Sequence, residues 1–226
     1  GHVFMGANVP FGLVQLGPTS IPTTWDWTSG YHISDTTVIG IAHTHLSGTG
    51  IGDLCDILVM PVVGEVVLNR GTEAKPDSAM WSYFSRVNEK TKPGYYATRL
   101  DRYDVDVELT ATARVGFHKY TFPETDDARI IFNLENGTGW DRPMEGYITQ
   151  ESETVISGYR YSKGWASDQR VFFTAEFSQP ITKLELYDKY EAKEGTSLTA
   201  TQVYSIAHFD TDPQTPIYLK VALSPV

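Results

Sequence analysis

Polar and apolar residues alternate most regularly between Asp104 and Ala113. Val105, Val107, Leu109, Ala111 and Ala113 fall on one side of an extended chain; Asp104, Asp106, Glu108, Thr110 and Thr112 fall on the other. A period of two predicts a strand with one face in a core and one in water. Val171, Phe173, Ala175 and Phe177 form a second such face, and Ile181, Leu184 and Leu186 a less regular third. Further strand-like runs cover Phe11–Leu16, Val38–Ala42, Ile57–Val63, Tyr95–Leu100, Gly116–Phe122, Arg129–Leu134, Thr154–Tyr161, Gln202–Phe209 and Ile217–Leu223. Turn residues separate them, among them Pro93-Gly94, Asn136-Gly137, Lys163-Gly164 and Glu194-Gly195. Only Asp77 to Lys90 carries an approximate helical stripe, so a weak helix or a partly ordered loop is expected there. Many short strands with few short helices predict an all-β sandwich or barrel. From Gly17 to Gly52 the chain is irregular and rich in Gly, Thr, Ser, His and Trp. Such long loops in compact domains usually carry function.

Composition narrows the class. The 226 residues fit one large domain or two small ones, and 41% hydrophobic with 20% charged residues is an ordinary globular balance. With 28 acidic against 18 basic residues the net charge is −10, which disfavours nucleic-acid backbones as partners. The single Cys55 excludes an internal disulfide. The longest apolar stretch, Ile57 to Val63, contains Pro61 and falls far short of the roughly 20 residues of a membrane-spanning helix. An acidic chain with 13 Tyr, 10 Phe, 5 Trp, 19 Gly and 12 Pro fits the all-β domains that handle sugars. It opens Gly1-His2 without Met or a signal-peptide pattern and ends directly after a strand-like run, as expected of a segment of a longer protein.

Four groups of residues carry candidate chemistry. Trp25-Asp26-Trp27-Thr28-Ser29-Gly30-Tyr31-His32 combines aromatic faces, which pack on sugar rings, with polar groups that fix hydroxyls. In His43-Thr44-His45-Leu46-Ser47-Gly48-Thr49-Gly50, an extended chain points His43 and His45 the same way. No further Cys or His sits at zinc-ligand spacing, so a loop-shaping or hydroxyl-binding pair fits better than a metal site. The glycines lack the Lys of a phosphate-binding loop and the Gly of a nucleophile elbow. The third group is the carboxylates Asp26, Asp35, Asp53, Asp56, Glu135, Asp141 and Glu145, most of them expected to be solvated or turn-forming. Glycoside hydrolysis needs two carboxyls flanking the scissile bond. The fourth, Gly158 to Arg170, offers an Arg, a Trp and an amide at a strand–turn–strand to line a cleft, but reads more simply as a hairpin whose Trp165 packs on a neighbouring sheet.

Pro10-Phe11-Gly12-Leu13-Val14-Gln15-Leu16-Gly17-Pro18, Ser29-Gly30-Tyr31-His32, the His43 to Gly50 run, Asp56-Ile57, Pro93-Gly94-Tyr95-Tyr96, Arg114 to Pro123 and Gly164-Trp165-Ala166 together resemble the N-terminal domain of glycoside hydrolase family 92, bacterial exo-acting α-mannosidases. The resemblance covers nearly the whole chain and implies a large antiparallel sandwich of the galactose-mutarotase type over residues 1–226. It implies a following (α/α)6 catalytic domain that holds the general acid, the general base and most ligands of a calcium ion, absent from this chain. The implied partners are that domain and mannose-containing glycans such as N-glycans; the implied location is periplasmic or extracellular. Substrate contacts are then expected from Trp25, Asp26, Gly30, Tyr31 and His32, with His43, His45, Ser47, Gly48 and Gly50 shaping the loop. No catalytic or metal-binding residue and no cofactor of its own are expected in this chain. Trp27 and Thr28 depart from the family pattern. A sandwich taken from its partner should expose an aromatic or apolar patch. An independent carbohydrate-binding module and, more remotely, a mutarotase-like enzyme are the competing readings.

Overall fold

The computed structural model describes residues 2–20, 25–48, 50–69, 71, 79–211 and 215–225. Two antiparallel sheets pack face to face. The first runs in the spatial order β1 (Ala7–Asn8), β2 (Gln15–Thr19), β4 (Gly40–Ala42), β5 (Leu58–Val63), β11 (Ala128–Asn133), β18 (Val203–Phe209), β15 (Lys183–Asp188), β16 (Glu191–Lys193). The second runs β17 (Ser197–Ala200), β12 (Arg142–Gln150), β13 (Val155–Lys163), β14 (Gln169–Phe177), β19 (Ile217–Ser224), β10 (Val115–Thr121), β9 (Val105–Ala111), β8 (Tyr95–Leu100), β7 (Lys90–Lys92). A small ribbon joins β3 (Thr37–Val38) to β6 (Ser82–Tyr83).

The alternation does what its period requires. Val105, Val107, Leu109 and Ala111 of β9 are buried while Asp106 and Thr110 are exposed. Phe132 of β11 meets Phe173 and Phe177 of β14 at ring-centroid distances of 5.9 and 6.1 Å, and Phe177 meets Phe209 at 4.9 Å, so aromatic rings fill the space between the sheets.

Three expectations are corrected. Asp77 to Lys90 forms no α-helix among its described residues: β6 pairs with β3, Arg86–Asn88 makes one 3-10 turn, and β7 begins at Lys90. Residues 77 and 78 lie outside the described residues. The apolar stripe is satisfied instead by burying Ala79, Met80, Trp81 and Phe84 from an extended chain. Phe11 opens no strand; it takes φ 59° in a turn closed by Gly12 N–H on the Val9 carbonyl, and β2 starts at Gln15. The run Val38–Ala42 divides at Ile39, its two halves pairing with different strands.

Polar side chains tie the sheets together inside this apolar filling. Gly116, His118 and Tyr120 are the inward residues of β10. His118 reaches His43, which follows β4 in the opposite sheet, with Nε2 atoms 3.0 Å apart. The protons on this chain are fixed by its ends. The Ile57 carbonyl accepts from His43 Nδ1 at 2.6 Å, so His43 Nε2 is the acceptor. His118 Nε2–H therefore donates to it, and His118 Nδ1 accepts from the Tyr120 hydroxyl at 2.7 Å. His45 is held likewise, its Nδ1–H on the Gln15 carbonyl at 2.7 Å and its Nε2 facing Thr19 Oγ1 at 3.3 Å. Burial pushes His43 and His45 down to about 4 and His118 well below its ordinary value.

These three histidines make stability fall with acid. Unfolded, each takes up a proton near pH 6.5; folded, His43 and His45 resist protonation down to about pH 4. Across that window the unfolded chain binds more protons, so stability is complete above pH 6.5 and declines as pH falls. Each histidine contributes a slope of up to about 1.4 kcal/mol per pH unit. Urea unfolding midpoints should drop steadily between pH 6.5 and 4.5, and a midpoint independent of pH over that range would contradict the neutral histidine chain.

Candidate functional site

The site is organised by one buried cation. In β13, Ile156, Arg160 and Ser162 are buried, so Arg160 enters the core in phase with apolar residues. Its side chain is fully buried, as are those of Asp56 and Asp141. All five guanidinium N–H groups are used. Nε–H donates to the Leu134 carbonyl at 2.8 Å; one amino group donates to Asp56 Oδ1 at 2.6 Å and Asp141 Oδ2 at 3.1 Å; the other donates to the Glu135 carbonyl at 3.2 Å and to Asp141 Oδ1. The second oxygen of Asp56 accepts from Thr44 Oγ1–H at 2.7 Å and Gln169 Nε2–H at 2.9 Å. Burial alone pushes the guanidinium pKa down, but the two carboxylates hold it above its ordinary value.

This clamp holds a strained segment. Leu54, Cys55 and Ile57 all take left-handed backbone angles, φ 68°, 66° and 50°. For residues with a Cβ such angles cost about 1–3 kcal/mol each and persist only where the surroundings impose them. Here Asp56 sits between them on Arg160, Cys55 N–H donates to the Thr44 carbonyl, and Thr138 N–H donates to the Leu54 carbonyl.

Three tryptophans hang on the residues just before that segment, each more than 60% exposed. Trp25 begins a 3-10 turn, Trp25–Trp27, and its ring lies where a Cβ on Gly50 would come within 2.7 Å. Trp140 N–H donates to the Gly52 carbonyl at 2.7 Å, where Gly52 and Gly139 pack backbone on backbone too closely for a side chain on either. Trp165 N–H donates to Asp53 Oδ2 at 2.9 Å. Three distant parts of the chain thus place tryptophans around Gly50–Asp53. A cleft of 280 Å³, lined in part by Glu135, Asn136, Asp141 and Arg142, opens beside the clamp.

The residues expected to contact substrate separate into rim and frame. Trp25 and Asp26 are exposed, with His2 edge-on to Trp25 at 4.0 Å and 3.5 Å from Asp26. His32 is half-buried against Trp27, ring centroids 4.2 Å apart. Tyr31 is buried; its hydroxyl accepts from Arg86 and donates to Glu89, and burial pushes it up to about 12. Gly30, at φ 80°, is buried against Cys55. Asp35 holds this loop, accepting from Ser20 Oγ–H at 2.7 Å, Trp27 Nε1–H at 2.6 Å and His32 N–H at 2.7 Å. His43 and His45 belong to the core, as described above. Ser47 is exposed and its Oγ accepts from Phe4 N–H, Gly48 N–H donates to the His2 carbonyl, and Gly50 supports Trp25; Thr49 lies outside the described residues.

Two readings change. Asp35, Asp53, Asp56 and Asp141 are buried and not solvated, because each receives donors that repay its loss of solvent, while Asp35 and Asp141 also close turns through their N–H groups on the His32 and Thr138 carbonyls. Trp165 stands on the hairpin turn instead of packing on a sheet, because its turn is pinned through its backbone N–H. Arg160 lies inside the Gly158 to Arg170 run, and its phase with Ile156 is the sequence signal that it enters the core. Among the described residues no three His, Cys, Asp or Glu side chains converge as metal ligands. The buried carboxylates gathered here are committed to Arg160, to backbone donors and to Ser20, Thr44, Gln169 and Trp27. Among the described residues no helix is long and apolar enough to cross a membrane.

The chain is similar along its whole length to much longer proteins. A family GH92 α-mannosidase from Bacteroides thetaiotaomicron, solved both alone and with mannoimidazole, superposes with a TM-score of 0.95 at 33% identity, covering 100% of this chain and 31% of that one. An inverting GH92 mannosidase of the same organism shares the fold, with a TM-score of 0.83 at 22% identity over 100% of this chain and 29% of its own. A secreted glycosidase of Arthroderma benhamiae, described as uncharacterized, is 26% identical over 130 residues, 56% of this chain and 16% of that protein. The chain therefore spans less than a third of the length of these relatives. Matched over residues 1–224 by the glycosyl hydrolase family 92 N-terminal domain, the chain belongs to that family.

Proposed function

We propose that this chain is the non-catalytic sandwich domain of an exo-acting α-mannosidase. It packs on an (α/α)6 catalytic domain through its tryptophan end and lines part of the pocket for a terminal mannose of glycans such as N-glycans. The observation that carries this reading is the placement of Trp25, Trp140 and Trp165 around Gly50–Asp53, all exposed in side chain, with Trp140 and Trp165 held by their backbone N–H groups and the Trp25 ring against Gly50, beside carboxylates committed to structure. Aromatic faces suit the C–H faces of a sugar, and an exposed aromatic patch suits a domain interface. Trp25, Asp26 and His32 stand nearest the sugar; Gly30, Tyr31, His43 and His45 hold the loops behind them.

Inversion of configuration and the requirement for calcium belong, in this reading, to the catalytic domain. Among the described residues no three His, Cys, Asp or Glu side chains converge, so in this reading most of the roughly 6–8 oxygen ligands of a calcium ion come from the catalytic domain. A periplasmic or extracellular setting agrees with the secreted description of the Arthroderma relative.

The chain by itself should release no nitrophenol from an aryl α-mannoside, with or without calcium. Calcium-stimulated turnover by the purified chain would overturn the assignment of chemistry to another domain. In the two-domain enzyme, Trp165→Ala should raise KM for α-mannobiose about tenfold or more, the loss expected of a truncated aromatic anchor. Unchanged kinetics for the Ala variants of Trp25, Trp140 and Trp165 would remove the tryptophan end from the pocket. Calorimetric binding of mannose by the chain alone, abolished in Trp25→Ala, would favour an independent carbohydrate-binding module.

A further inference from the structure

A groove of 460 Å³ lies on the outer face of the first sheet and shares no lining residue with the tryptophan end. Its floor follows from strand register. Arg129 of β11 pairs with His208 of β18, and His208 pairs with Lys183 of β15, so these three form a row across the sheet. Ala207 and Phe209 of β18 are buried in the core, so the half-buried His208 between them faces outward. Glu185 and Tyr187 continue the same face of β15, and the exposed Tyr190 stands at the β15–β16 turn.

Both cations of the groove, Arg129 and Lys183, are paired with carboxylates. Arg129 donates to both oxygens of Asp127 at 2.6 and 2.9 Å. Lys183 and the Tyr187 hydroxyl both donate to Glu185. An anion entering here meets ion pairs already closed and one further carboxylate, the exposed Glu65, so nothing in the groove holds a negative charge. His208 Nε2 is the exception: it is buried and lies 3.2 Å from Glu185 Oε1, without the alignment of a hydrogen bond. A buried polar atom without a partner favours a ligand that supplies one. Burial and the nearby Arg129 lower the pKa of His208, which leaves the ring neutral and able to bond a hydroxyl. Val67 and Tyr190, both more than half exposed, add apolar surface to the lining.

We propose that this groove is a second binding site, for a neutral oligosaccharide. Tyr190 supplies the stacking surface, and His208, Glu185 and Arg129 bond its hydroxyls. The volume lies within the roughly 300–1,000 Å³ of small-ligand clefts, and an apolar wall with a few placed donors and acceptors is their usual construction. The site goes beyond the mannosidase reading and stands without it, since none of its residues belongs to the tryptophan end.

The test is an amide-resolved NMR titration of the chain with α-linked mannotriose, and separately with inorganic phosphate. Mannotriose should shift Val67, Tyr187, Tyr190 and His208 with saturation in the millimolar range, and phosphate should not. Tyr190→Ala should weaken this binding about tenfold, and His208→Asn should weaken it in a fold kept intact, while Trp25→Ala leaves it unchanged. Shifts confined to the Trp25 and Trp165 segments, no shifts at all, an equal response to phosphate, or undiminished binding in both groove variants would each overturn the second site.

Discussion

A guanidinium removed from water has to find a partner for every N–H it carries, and Arg160 does so with groups drawn from two carboxylates and two backbone carbonyls. The rest of the candidate site follows from that demand. Asp56 leads into β5 of one sheet, Asp141 leads into β12 of the other, and Arg160 lies on β13. Deletion of one member would leave charge buried without compensation, which typically costs about 3–5 kcal/mol. Lysine could not substitute, because a point charge lacks the planar fork that reaches four acceptor groups at once. The cluster holds one more carboxylate than cation, and Thr44 and Gln169 supply the donors that the second oxygen of Asp56 still needs.

The strand framework was legible because burial on one face leaves a period of two. Tyr95–Leu100 coincides with β8, and the runs ending at Phe209 and Leu223 differ from β18 and β19 by a residue at their ends. β12 was not legible. Pro143, Met144 and Gly146 break its alternation, and the register slips between Pro143 and Glu145, so two stretches of opposite phase share one strand. The short strands β1, β7, β16 and β17 have two to four residues, too few to display a period. The site was legible in part. Trp25 announced itself by composition, and the exposed aromatic patch followed from the expectation of a missing partner. Trp140 and Trp165 did not, since their exposure depends on backbone bonds to Gly52 and Asp53 across nearly ninety and more than a hundred residues of chain. The roles of the carboxylates depend on the same long-range partners. An arginine in phase with a buried isoleucine was the one local sign that carboxylates must come inside.

Polar groups in this domain divide by whether they can change state. The Tyr120–His118–His43 chain ends on a backbone carbonyl, so every proton on it has one place, and a further proton would set two N–H groups against each other. Such a chain specifies which strands face each other more sharply than apolar packing does, because a shifted pairing would leave its members unsatisfied. Its neutrality is therefore a condition of the fold, unlike the neutrality of His208, which sits at the edge of a groove with an atom to spare.

The strain at Leu54, Cys55 and Ile57 gives the clamp a further consequence. A relaxed connection would let Gly50–Asp53 move independently of Gly139 and Gly164, and the tryptophans would then have to be ordered by whatever binds them. Ordering a loop and its side chains on association weakens binding by the entropy removed. Here that ordering is already part of folding: Asp56 fixes the segment from the core, and Gly52 and Asp53 pass the constraint to Trp140 and Trp165 through their backbone N–H groups. The side chains remain in solvent while their attachment points are rigid. A domain that contributes surface to a pocket completed by another domain needs this combination, because the pocket's shape then depends on the docking of two preformed faces and not on the folding of either.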